Sequence, residues 1–185
     1  TKLHVVPDTI EGWSDAFAVL LSSYFEDTAV FPEYKGCHVT FDLSKIRPKG
    51  SEISGGFKAP GPEGLRAALV KCEELLEKEV QAGRHTMRSI TVYDFVMHMS
   101  DAVLSGGVRR SATICMFDKD DQEMLKAKTG DWFTSNPQRA RSNNSVMLLK
   151  DELTRSEWAE IMKNVKHSGE PGFIFTDNLD FAYNP

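Results

Sequence analysis

The chain has 185 residues, of which 41% are hydrophobic, 10% aromatic and 26% charged, proportions that fit one folded globular domain and exclude a disordered or fibrous chain. Its longest apolar stretches, around Ala16 to Leu21 and Val146 to Leu149, fall far short of the roughly 20 residues of a membrane span; with no charged-then-apolar leader, a cytoplasmic protein with no membrane attachment is expected. Lys and Arg number 22 against 27 Asp and Glu, a formal charge of -5, so direct binding of nucleic acid over a broad surface is excluded and any phosphate site must be local.

Asp8 and Glu11 have the spacing of a capping box, and Trp13, Phe17, Leu20, Leu21 and Tyr24 then recur at helical intervals, which predicts a first amphipathic helix. Val39 to Leu43 alternates as a strand does. It is followed by Pro48, Gly50, Gly55, Gly56, Pro60, Gly61 and Pro62, a density of backbone breakers that predicts a long, specially shaped loop without regular structure. Leu65, Leu69, Cys72, Leu75, Leu76 and Val80 share one face of a second helix ended by Gly83. Thr91 opens a third, running through Tyr93, Phe95, Val96, Met99 and Val103 to Gly106.

Ser111 to Phe117 reads as a buried strand, and Asp120 with Glu123 as the cap of a short helix through Met124, Leu125 and Ala127. Thr129 to Asn144, with Gly130, Pro137, two arginines and three asparagines, predicts another loop. Ser145 to Leu149 is then a strand, Thr154 with Glu157 caps a last helix through Trp158, Ile161, Met162 and Val165, and Phe173 to Phe175 forms a final strand. Strands alternating with helices predict an α/β fold.

Cys37, Cys72 and Cys115 are too scattered for a disulfide framework or thiolate metal site, and Cys72 and Cys115 read as small buried hydrophobes. His4, His38, His85, His98 and His167 lack ligand spacing, so no metal site is expected.

Three polar loops adjoin strand or helix ends, where α/β folds place ligand sites. In the first, Lys45 to Pro62, glycines let the backbone approach an anion while Lys45, Arg47, Lys49 and Lys58 supply positive charge. Neither GxxxxGK[ST] nor GxGxxG is present, and a solvated loop is the alternative. In the second, Ser105 to Ala112, Arg109 and Arg110 need anionic partners at a strand mouth, and Asp101 or Asp118 would serve as well as a ligand. The third, Ser135 to Ser145, combines amides with Arg139 and Arg141, a composition suited to a nucleotide or to an ordinary Asn-rich turn.

In this order and spacing the loops resemble the adenosylcobalamin-dependent, class II ribonucleotide reductases, most closely the monomeric triphosphate-using branch. The matching stretches are VPDTIEGW, FDLSKIRPKGSEISGG with APGPEGL, SGGVRRSATICMFDKDDQEM and NPQRARSNNSV, spread over nearly the whole chain. Asn184 and Pro185 look like the opening of that family's NPCxE motif, whose Cys becomes the thiyl radical and whose Glu assists proton transfer; the sequence would then be an internal fragment stopping one residue short of that Cys.

The resemblance implies part of a ten-stranded α/β barrel, with residues 1–185 as a single domain in its N-terminal portion. It implies a deoxynucleotide effector loop at about 45–62, with Lys45, Arg47, Lys49 and Lys58, of which Arg47 is the foremost phosphate ligand. Ser54 stands where class I members carry a second arginine. It further implies a substrate-specificity loop at about 134–144, with Arg139, Arg141, Ser142, Asn143 and Asn144 as contacts, and Asn184 as the amide bonding the substrate ribose. Gly106 to Arg110 matches a barrel-strand entry read as structural. The activity implied is reduction of ribonucleoside triphosphates by an enzyme that needs adenosylcobalamin, a dNTP effector, a thioredoxin-type reductant and a further polypeptide carrying CxE. The chain by itself would be inactive, whether it arises from a split gene, an intein-interrupted host or a truncation. The competing reading is a non-catalytic nucleotide-binding module.

Overall fold

The computed structural model describes residues 1–25, 30–103 and 112–177, and they are α/β. Among them the strands form two sheets of two strands and one of three, and no closed barrel. The chain falls into two compact units, one of residues 1–87 and 98–111, the other of 88–97 and 112–185.

In the first unit β1 (Lys2–Val5) lies parallel to β2 (Val39–Asp42), with Lys2 opposite Val39 and Val5 opposite Asp42. The helix α1 (Ile10–Tyr24) is capped by Thr9, whose hydroxyl accepts the Gly12 N–H. The cap predicted at Asp8 is thus displaced by one residue, because the Asp8 carboxylate is engaged by Arg47. Helix α2 (Glu63–Gln81) buries Leu65, Ala68, Leu69, Cys72 and Leu76 and meets α1, forming a core with Ala16, Val19 and Leu20. Gly83 follows α2 with φ of 70°, as its predicted role in ending the helix requires. The glycine-rich stretch is not wholly irregular as predicted: β3 (Glu52–Ile53) and β4 (Phe57–Lys58) pair antiparallel across a turn that takes Gly55 and Gly56 to positive φ.

Helix α3 (Ser89–Ala102) begins two residues before the expected Thr91, and Gly106, its expected end, lies outside the described residues. In the second unit β5 (Thr113–Asp118), β6 (Ser142–Leu149) and β7 (Gly172–Thr176) form a parallel sheet in the order β5-β6-β7. Helix α4 (Gln122–Leu125) is capped by Asp121, whose carboxylate accepts the Met124 N–H at 2.9 Å, one residue beyond the predicted Asp120. Helix α5 (Trp132–Ser135) and a 3-10 turn at Pro137–Arg141 occupy what reads in the sequence as open loop. Helix α6 (Arg155–Ser168) carries the predicted Thr154–Glu157 capping box and ends at Gly169 with φ of 73°. Phe117, Val146 and Leu148 from one sheet face pack with Tyr93, Met97, Met124, Leu125 and Ile161.

Candidate functional site

The loop after β2 is folded tightly upon itself. The Ile46 N–H donates to Leu43 O at 3.1 Å, the Gly50 N–H to Ala59 O at 3.0 Å, and the Ala59 N–H to Ser51 O at 2.8 Å. Ile46 and Ala59 are buried and anchor the two limbs. Gly61 has φ of 75°, and a Cβ there would come within 2.8 Å of the Lys49 backbone nitrogen, so the close crossing of the limbs requires glycine. Arg47, next to the buried Ile46, is thereby set at a fixed height on the loop.

Beside it opens a hollow of about 570 Å³, walled by Trp13 and Phe17 of α1, by Ile46, Ile53 and Met99, and by polar groups of Thr9, Ser54, Asp8 and Arg47. Flat apolar walls next to a cation, hydroxyls and the N-terminal turn of a 15-residue helix suit a ligand with one planar apolar part and one anionic part. Arg47 Nε donates to Asp8 Oδ2 at the rim, with the two side chains 45% and 27% exposed. Of the four cations singled out in the sequence, Arg47 lines this hollow. Lys58 faces Glu52 across the β3–β4 pair at 3.2 Å, Lys49 lines a separate shallow depression with Pro62 and Arg66, and Lys45 is exposed. The loop therefore brings one guanidinium, rather than a cluster of four charges, to the hollow.

In the second unit Gln138, Ser142 and Asn144 of the 134–144 stretch are buried, whereas Thr134, Ser135, Pro137, Ala140 and Asn143 are exposed. Arg139 Nε and Nη2 donate to the two oxygens of Asp94 at 2.8 and 2.7 Å, and Nη1 donates to Ala127 O at 2.7 Å. Gln138 Nε2 donates to Asp94 Oδ1 at 3.0 Å. Ser142, Asn143 and Asn144 belong to β6 rather than to a loop, which corrects their predicted setting. Ser142 Oγ lies 2.8 Å from the Tyr93 hydroxyl and 2.7 Å from Asn144 Oδ1, and the Asn144 N–H donates to Glu170 Oε2 at 3.2 Å. Lys128, itself buried, donates to Glu170 Oε1 at 2.8 Å and to Ser142 O. These distant partners allow so polar a segment to enter a strand. Asn143 is exposed, sharing the opposite sheet face with Ile114, and Arg141 is half-buried.

Asn184, Arg109 and Arg110 lie outside the described residues. Cys72 is fully buried, and burial pushes its thiol up to about 12; Cys115 is half-buried and raised for the same reason. Neither is suited to nucleophilic work. Among the described residues there is no group of three or more His, Cys, Asp or Glu that could hold a metal ion, and no helix long and apolar enough to cross a membrane. Asp8, the partner of Arg47, is the site residue that sequence reasoning missed: it lies 39 positions away and reads locally as a helix cap.

Comparison with known proteins gives a consistent picture. Residues 1–76 match the family model described as the insertion domain of B12-dependent ribonucleotide reductase. The adenosylcobalamin-dependent ribonucleoside-triphosphate reductase of Lactobacillus delbrueckii subsp. bulgaricus is 36% identical over 180 residues, covering 97% of this chain and 23% of the relative. That of Lactobacillus leichmannii is 35% identical over the same length, and a probable one from Dictyostelium discoideum is 34% identical over 182 residues, 96% of this chain and 22% of the relative. A crystal structure of a B12-dependent (class II) ribonucleotide reductase superposes with a TM-score of 0.77 at 31% identity, covering 94% of this chain and 22% of that one. The chain thus spans less than a quarter of the length of the reductases it matches.

Proposed function

We propose that this chain, which resembles the class II ribonucleotide reductases over nearly its whole length, serves as the nucleotide-sensing part of such an enzyme. The observation that carries the reading is the breadth of the match, which runs through both compact units and includes the Arg47 loop and the β5-β6-β7 sheet. In the assembled enzyme a ribonucleoside triphosphate would be reduced to the deoxyribonucleotide by thiyl-radical chemistry. The radical Cys would come from a CxE-bearing polypeptide and the electrons from a thioredoxin-type reductant. The two units would together form one working domain in the cytoplasm.

Within this chain, Arg47 would take a phosphate of a deoxynucleotide effector, with its base against Trp13 and Phe17 and with Lys45, Lys49 and Lys58 raising the local potential. Asn143 and Arg141 would face the substrate side of the specificity segment, while Arg139, Ser142 and Asn144 would hold that segment in place through the contacts described above. Asn184 would bond the substrate ribose. The parallel sheet would contribute strands to a ten-stranded barrel: it has one face packed and the other showing Ile114 and Met116, whereas parallel sheets are normally covered on both faces.

Adenosylcobalamin is the cofactor named for the relatives, and when bound it would supply the radical. The hollow beside Arg47 is of a size that suits a nucleotide, and none of the described residues is assigned to the cofactor. The test is reconstitution: the chain is mixed with, or joined to, the remainder of the reductase carrying CxE, and dNTP formation is followed with adenosylcobalamin and a dithiol reductant. Turnover that responds to dNTPs is the expected result. A verified complex that binds dNTPs without turnover would favour a non-catalytic nucleotide-binding module.

A further inference from the structure

Lys128 and Glu170 grip the two peptide groups on either side of Asn143. The Lys128 ammonium donates to Ser142 O, the carbonyl of the peptide that enters Asn143, and Glu170 Oε2 accepts the Asn144 N–H, the amide of the peptide that leaves it, at 3.2 Å. The two side chains are joined by the 2.8 Å bond from Lys128 Nζ to Glu170 Oε1 and are 6% and 22% exposed, and the ammonium lies 5.6 Å from the centre of the Trp132 ring. One shielded ion pair thus brackets one residue. The pairing of β6 with β7 begins at Ser145 and Gly172, so Glu170 supplies from its side chain the acceptor that the ladder lacks at Asn144. With both flanking peptides held, the backbone of Asn143 cannot turn, and its side chain is set on the face that carries Ile114, opposite Ser142 and Asn144. A slip of one residue would exchange the two faces. A buried ion pair adds little net stability over apolar residues of like volume, which leaves this register and the direction of Asn143 as what the pair contributes.

We infer that Lys128 and Glu170 are positioning residues that act on substrate choice through Asn143, the ion pair fixing the direction of an amide that reads the base of the ribonucleoside triphosphate. The inference rests on the reading of Asn143 as a substrate contact. A carboxamide presents a donor and an acceptor side by side, so it separates one base edge from another only while the backbone that carries it is held. Lys128 and Glu170 themselves touch Ser142, Asn144 and each other, and their effect on substrate passes through the peptides that flank Asn143.

The test uses the assembled reductase, with ATP and CTP as separate substrates at one fixed dNTP effector concentration, and determines KM and kcat for each. Lys128→Met keeps the apolar stem, and Glu170→Gln keeps an acceptor for the Asn144 N–H. Each is expected to raise KM roughly three- to tenfold for one substrate and less for the other, the scale of one misdirected hydrogen bond, with kcat changed by less than about twofold. Asn143→Ala should remove the same preference, and adding Lys128→Met to it should bring no further change. A role in the fold alone would instead lower the urea midpoint and reduce kcat equally for both substrates at constant KM. Hydrogen exchange on the full chain gives a readout without turnover: in Lys128→Met the Asn144 amide should exchange faster while the rest of β6 stays protected. If Asn143→Ala leaves the preference between ATP and CTP unchanged, or a verified complex does not turn over, the reading of the specificity segment falls and the inference falls with it. If Asn143→Ala alters the preference while folded Lys128→Met and Glu170→Gln do not, the inference is overturned and that reading stands. If both variants unfold the second unit, the pair is a determinant of the fold, and the inference is likewise overturned.

Discussion

Asp94 and Arg139 meet fork to fork across 45 residues of chain, with two parallel N–H to oxygen bonds of 2.8 and 2.7 Å and side chains only 6% and 13% exposed. Such a pair contributes little net stability compared with well-packed apolar residues, but removing one partner leaves a charge stranded out of water. Asp94→Ala should therefore destabilise the fold by about 3–5 kcal/mol, read as a lower urea midpoint with an unchanged slope. Arg139→Met, which keeps the volume but leaves Asp94 unpaired, should cost a comparable amount. A loss under about 1 kcal/mol for both would show that water reaches and solvates the pair.

A second expectation concerns acid. Lys119 donates to Glu157 at 2.6 Å, and the Thr154 N–H and hydroxyl donate to the same carboxylate, holding its pKa well below the usual 4.5, at about 2. The folded state thus favours the ionised form more than the unfolded chain does. The contribution is fully present above about 4.5 and is lost as pH falls through about 2. Thermal unfolding of the unaltered chain and of Glu157→Gln should differ at pH 7, converge as pH drops below 4.5, and coincide near pH 2. A gap that persists to pH 2 would mean the side chain acts by packing instead. Thr154→Ala, which removes the reciprocal half of the capping box, should cost about 1 kcal/mol at pH 7.

What the sequence makes legible is set by how local the cause is. Helices α2 and α6 are readable because a repeating apolar face and a nearby cap or glycine are all within one stretch of chain. Strand β1 is not: it is short and mostly exposed, and its partner β2 begins at Val39. The caps at Thr9 and Asp121 are missed by one residue, since adjacent side chains can each cap a helix and tertiary partners decide; Arg47 takes Asp8. Ser142 to Asn144 read as loop because they are polar, yet within β6 Tyr93 and Lys128 bond to Ser142, Glu170 bonds to Asn144, and Asn143 faces outward. The candidate site follows the same rule. Arg47 stands out by composition, whereas Asp8 and the apolar walls come from elements remote in sequence.

The buried thiols give a third expectation. Cys72 has no exposed surface, and with its thiol raised to about 12 only on the order of one molecule in ten thousand is thiolate at pH 8. Alkylation of the folded chain followed by mass spectrometry should therefore modify Cys37, which is half-buried, well before Cys72. Cys72 should react only under conditions that unfold the first unit, which would make it a site-specific reporter of that unit's opening. Equal rates for the two thiols in the native chain would show that α2 opens readily.

The last expectation comes from the face of the β5-β6-β7 sheet that the helices leave uncovered. Ile114 and Met116 of β5 are 45% and 39% exposed, and Met147, Leu149 and Ile174 share their side of the sheet through the parallel register. Parallel sheets are rarely stable with one apolar face in water, and contiguous apolar surface of this kind drives association. The chain should accordingly show a concentration-dependent rise in mass by light scattering. Met116→Glu should suppress that rise without lowering the unfolding temperature, because the side chain points away from the packed face where Phe117, Val146 and Leu148 lie. If Met116→Glu instead unfolds the second unit, the face is covered in the folded chain; if association persists unchanged in a folded variant, the contact lies elsewhere.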